Sequence, residues 1–157
     1  MSHVPAYHAH LVLASRFEHI EIAERALLDL VAQTDCSRDE QYWIVTALRE
    51  AVANAVRHGN REQPDRKVRV DCTVDDRTVT IRVEDEGEGF DPSAVPDPTR
   101  EENLLRPCGR GIFYMQQFMN RVEFSRAPTG GTAVVMVKDL LPTSSTSRSD
   151  DDEERDS

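Results

Sequence analysis

Glu50, Asn54 and His58 stand four residues apart in the stretch 44–59, so on a helix they share one polar stripe. A carboxylate and an amide one turn apart can hold a general base and an oxygen ligand for magnesium on one rigid rod. The bland alternative is a solvated helix face, the usual fate of polar residues at this spacing. Asp85 ends the alternating run Val79, Ile81, Val83 and is followed by Glu86-Gly87-Glu88-Gly89-Phe90. It offers a fixed acceptor for an exocyclic amine such as that of adenine, and the glycines would let a flat ring lie against backbone. An acidic turn would read the same way. Gly109-Arg110-Gly111-Ile112 opens a further helical stretch, where free N–H groups and the positive end of the dipole suit a polyphosphate. Its plain alternative is a glycine-rich helix entry. Two other phosphate motifs are excluded: Pro92 stands where a dinucleotide fingerprint needs its third glycine, and no Walker A sequence occurs.

These residues need elements to position them. In 44–59, Ile44, Leu48, Val52 and Ala55 form a core-packing face beside the polar stripe. Ala47 and Ala51 lie between the stripes and are small enough to let something approach, while Gly59 has the place of a left-handed C′ residue. Upstream, residues 8–14 form an opening strand whose His8 and His10, with His3, face solvent rather than a metal, since no carboxylate or cysteine joins them at ligand spacing. Ser15 and Glu18 have the spacing of a capping box for a first helix over 16–32, with Ile20, Ala23, Leu27, Leu30 and Val31 at helical period. After a break at 35–38, Asp39 begins the Glu50 helix. Val68, Val70, Cys72 and Val74 alternate with polar residues, turn at Asp75-Asp76, and return through Val79, Ile81 and Val83 as a hairpin. A helix over 112–119 and strands over 120–125 and 132–138, joined at Gly130-Gly131, complete the set. A sheet with one apolar face needs its helices on that face, so the expected class is an α/β (α+β) two-layer sandwich.

The 157 residues suffice for one domain with a real core, and a mean hydropathy of −0.56 describes a polar surface. Residues 1–142 are the expected domain and 143–157 a disordered acidic tail without apolar residues. The net charge is −10; the tail carries −4 of it, which leaves −6 on the body. An acidic body argues against direct nucleic-acid binding. No apolar run approaches membrane-spanning length, residues 1–14 lack a signal-peptide pattern, and three scattered cysteines fit a reduced, cytoplasmic setting. Four prolines (Pro92, Pro96, Pro98, Pro107) crowd the long loop before Gly109.

Taken together, the motifs resemble the GHKL ATPases, the superfamily of gyrase, histidine kinases and MutL. Glu50-x-x-x-Asn54-x-x-x-His58-Gly59 resembles the N-box, Asp85-x-Gly87-x-Gly89-Phe90 the adenine-binding G1 box, and Gly109-Arg110-Gly111-Ile112 the G2 box. Gly131-Thr132 matches the late Gly-Thr whose hydroxyl helps hold adenine. The short chain, with Glu50 where histidine kinases usually carry asparagine, resembles the anti-sigma factor serine kinases of the RsbW and SpoIIAB type. That resemblance implies a Bergerat-type mixed, mostly antiparallel sheet, ATP and Mg2+ as cofactors, Asn54 as magnesium ligand and Glu50 as base toward a serine hydroxyl. It implies His58, Asp85, Gly87, Gly89, Phe90, Gly109, Gly111, Ile112 and Thr132 as nucleotide contacts. The loop 92–108 would be a lid. Arg106 would cover the terminal phosphate, with Arg110 its rival because Arg106-Pro107-Cys108-Gly109 is one residue longer than the family's Arg-Ser-Gly. The implied partners are a sigma factor, an anti-anti-sigma STAS-domain protein carrying the acceptor serine, and a second copy of the chain in a homodimer. The alternative function is a nucleotide-responsive binding module without kinase activity. A third is a free-standing ATPase with water as acceptor.

Overall fold

The computed structural model describes residues 6–89 and 110–141. Five strands, β1 (Tyr7–Ala14), β2 (Lys67–Val74), β3 (Thr78–Glu84), β4 (Arg121–Arg126) and β5 (Thr132–Asp139), form one sheet in the order β1-β2-β3-β5-β4. The helices are α1 (Ile20–Val31), α2 (Arg38–Asn54) and α3 (Arg110–Phe118). The two-layer α+β class holds. Where the resemblance implied a mixed sheet, every described strand pair is antiparallel. No helix among the described residues is long and apolar enough to cross a membrane.

Alternation along the strands decides which face is covered. In β2 the residues Val68, Val70, Cys72 and Val74 are buried while Lys67, Arg69, Asp71 and Thr73 are half-exposed. The apolar face packs on Leu27 and Val31 of α1 and on Ile44, Leu48 and Val52 of α2, all essentially without solvent contact. The opposite face is polar: His10 bonds Asp71 at 2.5 Å, His8 bonds Thr73, and Arg69 pairs with Glu86. The amino-terminal histidines of this strand thus meet strand neighbours rather than each other. The hairpin turn is fixed by Asp75, whose Oδ1 accepts the Arg77 and Thr78 N–H groups at 2.8 Å.

The first helix departs from expectation. Ser15 caps nothing: its hydroxyl donates to Arg66 O at 2.5 Å and accepts from Asn60 Nδ2, and residues 17–19 make a 3-10 turn before α1 begins at Ile20. The capping box lies instead at Ser37 and Glu40, where the Ser37 hydroxyl accepts the Glu40 N–H and the Glu40 carboxylate accepts the Ser37 N–H, both at 3.1 Å. Helix α2 therefore starts at Arg38. Glu40 also accepts the Leu141 N–H at 3.0 Å, which ties the chain beyond β5 to the start of α2.

The docking of α3 on α2 sets up the site. Met115 is fully buried, and Phe118 stacks on Trp43 at 6.5 Å and on Tyr114 at 6.1 Å while meeting Tyr42 edge-on at 6.2 Å. Lys138 Nζ closes the cluster 4.9 Å above Trp43. These contacts fix α3 so that its first turn faces the last turns of α2. Ala47 and Ala51 lie in this core, 0% and 2% exposed, so the space they leave is filled by the protein's own packing.

Candidate nucleotide site

Glu50 and Asn54 lie on the last turns of α2, both half-buried, and neither side chain has a hydrogen-bond partner among the described residues. Directly after Asn54 the helix widens into a π-turn over Ala55–Gly59. The extra residue per turn rotates the downstream side chains away from the stripe. His58, on this turn, is exposed, and among the described residues no hydrogen bond joins it to Glu50 or Asn54. Gly59 is not left-handed; the left-handed residues are Arg61 and Glu62 just beyond, at φ 51 and 57. Glycine is required at 59 for another reason. A Cβ there would lie 2.2 Å from Asp85 Oδ2.

Asp85 is 5% exposed and sits one residue past β3. Its Oδ1 accepts the Gly87 N–H at 2.9 Å and the Thr132 N–H at 3.0 Å, and its own N–H donates to Thr132 O at 2.9 Å. Burial pushes its pKa above the ordinary aspartate value; the two N–H donors oppose that shift and the Glu84 charge adds to it. Three glycines close around it. Besides Gly59, a Cβ at Gly131 would meet Asp85 O at 2.1 Å, and one at Gly87 would meet Gly59 O at 2.1 Å. The room saved at Gly87 is thus taken by Gly59, at the end of the π-turn, rather than left for a ring from outside. Gly89 is exposed and left-handed at φ +78, which suits glycine alone. Thr132 is buried beside Asp85.

Gly111, in the first turn of α3, faces the other part of α2: a Cβ there would lie 2.6 Å from Glu50 Oε2 and 3.3 Å from Asn54 Nδ2. Ile112 comes next, half-buried against the core. Two glycine bends therefore meet one helical rod, Gly111 at Glu50 and Asn54 and Gly87 at Gly59, which closes the π-turn after Asn54. Phe90, Arg106, Gly109 and the loop 92–108 lie outside the described residues, as does the side chain of Arg110. The tail 143–157 is outside them too.

The donor set suits the expected groups. A buried carboxylate with Oδ1 fully engaged presents Oδ2 as its remaining acceptor, and the first N–H groups of α3 lack intrahelical partners. Among the described residues no three His, Cys, Asp or Glu side chains gather as a metal site. A cation beside Asn54 would take most of its ligands from phosphate and water, which is the habit of magnesium. Cys36 and Cys72 take no part: burial pushes their thiols up to about 11 and about 12, so both stay protonated and unreactive.

The sequence missed Asn60, which is fully buried and bonded to several segments around this site, and Glu84, buried beside Asp85 and bonded to Arg82 and Thr129. Neither carries a periodic or motif signal.

Comparison with known proteins gives the same outline. Residues 13–138 match the family model of the histidine kinase-like ATPase domain. The chain is 35% identical over 133 residues to an anti-sigma F factor of Oceanobacillus iheyensis, covering 83% of this chain and 90% of that protein. It is 31% identical over 134 residues to the anti-sigma F factor of Bacillus subtilis, covering 83% and 91%. Two solved structures share the fold. One contains the RsbU and RsbW domains of a Mycobacterium tuberculosis protein, with a TM-score of 0.60 at 18% identity; the match covers 87% of this chain and 32% of that longer one. The other is the mycobacterial sensor histidine kinase MprB, with a TM-score of 0.51 at 15% identity, covering 85% and 99%.

Proposed function

The chain belongs to the histidine kinase-like ATPase family, among relatives named anti-sigma F factors, and on that premise we propose that it is an ATP-dependent protein serine kinase and anti-sigma factor. The observation that supports this reading is the convergence of two glycine bends on α2 and the π-turn that continues it, with Gly111 against Glu50 and Asn54 and Gly87 against Gly59, which itself packs on Asp85.

In this reading Asp85 accepts the amine of adenine, Thr132 supports it, and the N–H groups at Gly111 and Ile112 receive phosphate oxygens. Asn54 holds magnesium, which supplies neutralisation of phosphate charge. Glu50, one turn before Asn54, takes the proton of an incoming serine hydroxyl as its oxygen bonds to the γ-phosphorus and ADP departs. The acceptor is an anti-anti-sigma STAS-domain protein, and the protein released or held in exchange is a sigma factor. The working unit is a homodimer in the cytoplasm. Arg106, from the segment before α3, or Arg110, the first residue of α3, covers the terminal phosphate.

Incubation with labelled ATP and candidate STAS proteins, with mapping of phosphoserine, tests this. Label on a STAS serine that requires Glu50 supports the kinase. Capture of the partner with nucleotide bound and no phosphoserine formed would assign the alternative, a binding module. Phosphate release without any partner would assign a free-standing ATPase.

A further inference from the structure

Asn60 is 0% exposed and comes directly after Gly59. Its Nδ2 donates to Ser15 Oγ at 2.7 Å and to Lys67 O at 2.9 Å, and its Oδ1 accepts the Glu86 N–H at 2.8 Å. Its backbone N–H donates to Ala55 O at 2.8 Å, and its carbonyl accepts the Gln63 N–H at 3.0 Å. One side chain thus joins the end of β1, the start of β2 and the turn after β3, while its backbone N–H closes the π-turn. Two donors and one acceptor in one plane, uncharged and short, are what a primary amide supplies.

The Glu86 bond matters because Glu86 lies between Asp85 and Gly87. Residue 86 is held from two sides: Asn60 takes its N–H, and its carboxylate accepts the Lys67 N–H at 2.5 Å and an Arg69 N–H at 3.0 Å. The plane of the peptide joining Asp85 to Glu86 is therefore fixed by a side chain that does not itself reach Asp85.

We propose that Asn60 is a positioning residue for nucleobase recognition: through its acceptor bond to the Glu86 N–H it sets the direction in which the Asp85 carboxylate faces the ligand. This rests on the reading of Asp85 as the adenine acceptor. A role in stability alone would make all Asn60 variants melt earlier without changing which nucleotide is preferred. A positioning role separates the two properties. Asn60→Asp keeps an acceptor for the Glu86 N–H and loses both donor bonds, whereas Asn60→Ala loses all three.

The test is equilibrium titration of the full chain and both variants with ATP and with GTP, together with amide hydrogen exchange on the unmodified chain. Asn60→Ala should bind ATP about tenfold more weakly and lose most of its preference for ATP over GTP. Its transfer rate at saturating ATP should stay within about twofold of the unmodified chain. Asn60→Asp should melt earlier yet keep ATP affinity within about threefold. Unchanged affinity and preference in Asn60→Ala, or equal losses in both variants, would overturn the proposal. Should Asn60→Ala not fold, the Glu86 amide of the unmodified chain decides: protection like that of β3 supports the proposal, and exchange like that of an open turn overturns it. An unmodified chain that binds neither nucleotide overturns the nucleotide reading itself, and this inference with it.

Discussion

The Asp85 corner and the Glu50 corner lie along one helix, yet they are built on opposite plans. Around Asp85 the backbone does the holding: Oδ1 takes two N–H groups, and Gly59, Gly87 and Gly131 pack at distances that exclude a Cβ. At Glu50 and Asn54 the side chains are half-buried, without hydrogen-bond partners among the described residues, and the Gly111 backbone lies close to both. The first corner is preorganised before any ligand arrives. The second is completed by what enters it. Recognition and transfer should therefore separate under mutation: changes at the tight corner weaken affinity and stability together, and loss of the Glu50 carboxylate at the loose corner slows the reaction alone.

The largest effect is expected at the loose corner. Glu50→Ala should slow phosphoryl transfer by about 10²–10⁴-fold. Its effect on stability should stay within about 0.5 kcal/mol, because the side chain removed is half-buried and has no hydrogen-bond partner among the described residues. Slowed transfer with unchanged ATP affinity would sharpen the contrast between the corners; a wild-type transfer rate would break it. Next comes Asp85→Asn, which turns an acceptor toward the base into a donor while leaving an oxygen for the two N–H groups. ATP affinity should fall by about 2 kcal/mol, roughly thirtyfold. Direct titration checks it.

Steric fit comes third. A Cβ at Gly131 would collide with Asp85 O at 2.1 Å, so Gly131→Ala should cost about 1–3 kcal/mol of stability and weaken ATP binding as well. At Gly130 the space is open and only φ +94 objects, so Gly130→Ala should cost about 1 kcal/mol and leave affinity unchanged. Melting and titration of the pair tell crowding from strain. Equal losses of affinity would mean that the tight packing around Asp85 is not what shapes recognition.

The smallest effect is in acid. Burial raises the pKa of Asp85, so its carboxyl takes a proton on the way down from neutrality before an ordinary aspartate would. That protonation favours the folded chain and disfavours a base amine. Glu40 behaves oppositely. Burial raises its pKa, but the Leu141 and Ser37 N–H groups and the Ser37 hydroxyl outweigh burial, and the net shift is downward. Its contribution to stability is full above the unfolded-state pKa and is lost as pH falls through the lowered folded value. Acid titration should therefore weaken ATP binding first and loosen the α2 cap later. The reverse order would contradict the assignment of the two carboxylates.

How much of this is legible in the sequence depends on the range of the interaction. The β2–β3 hairpin and the buried stripe of α2 are set by alternation and helical period, which neighbours in sequence decide. Ser15-x-x-Glu18 and Ser37-x-x-Glu40 look alike as text, yet only the second is a capping box. The first serine is claimed by Asn60 and Arg66, both far along the chain. His58 falls on the stripe only if the α-helix runs unbroken, and nothing local announces the π-turn that displaces it. Gly59 is legible as a necessary glycine but not for its cause, since its crowding partner is Asp85 on another element. Motif order places the corners. Only the fold shows what crowds them.

That both corners hold a single nucleotide is tested most directly by titrating the full chain with ATP and Mg2+ while tracking backbone amides by NMR. Amides at residues 85–87 and at residues 111 and 112 should shift together, with one dissociation constant. Shifts confined to one corner, or two distinct dissociation constants, would contradict the account.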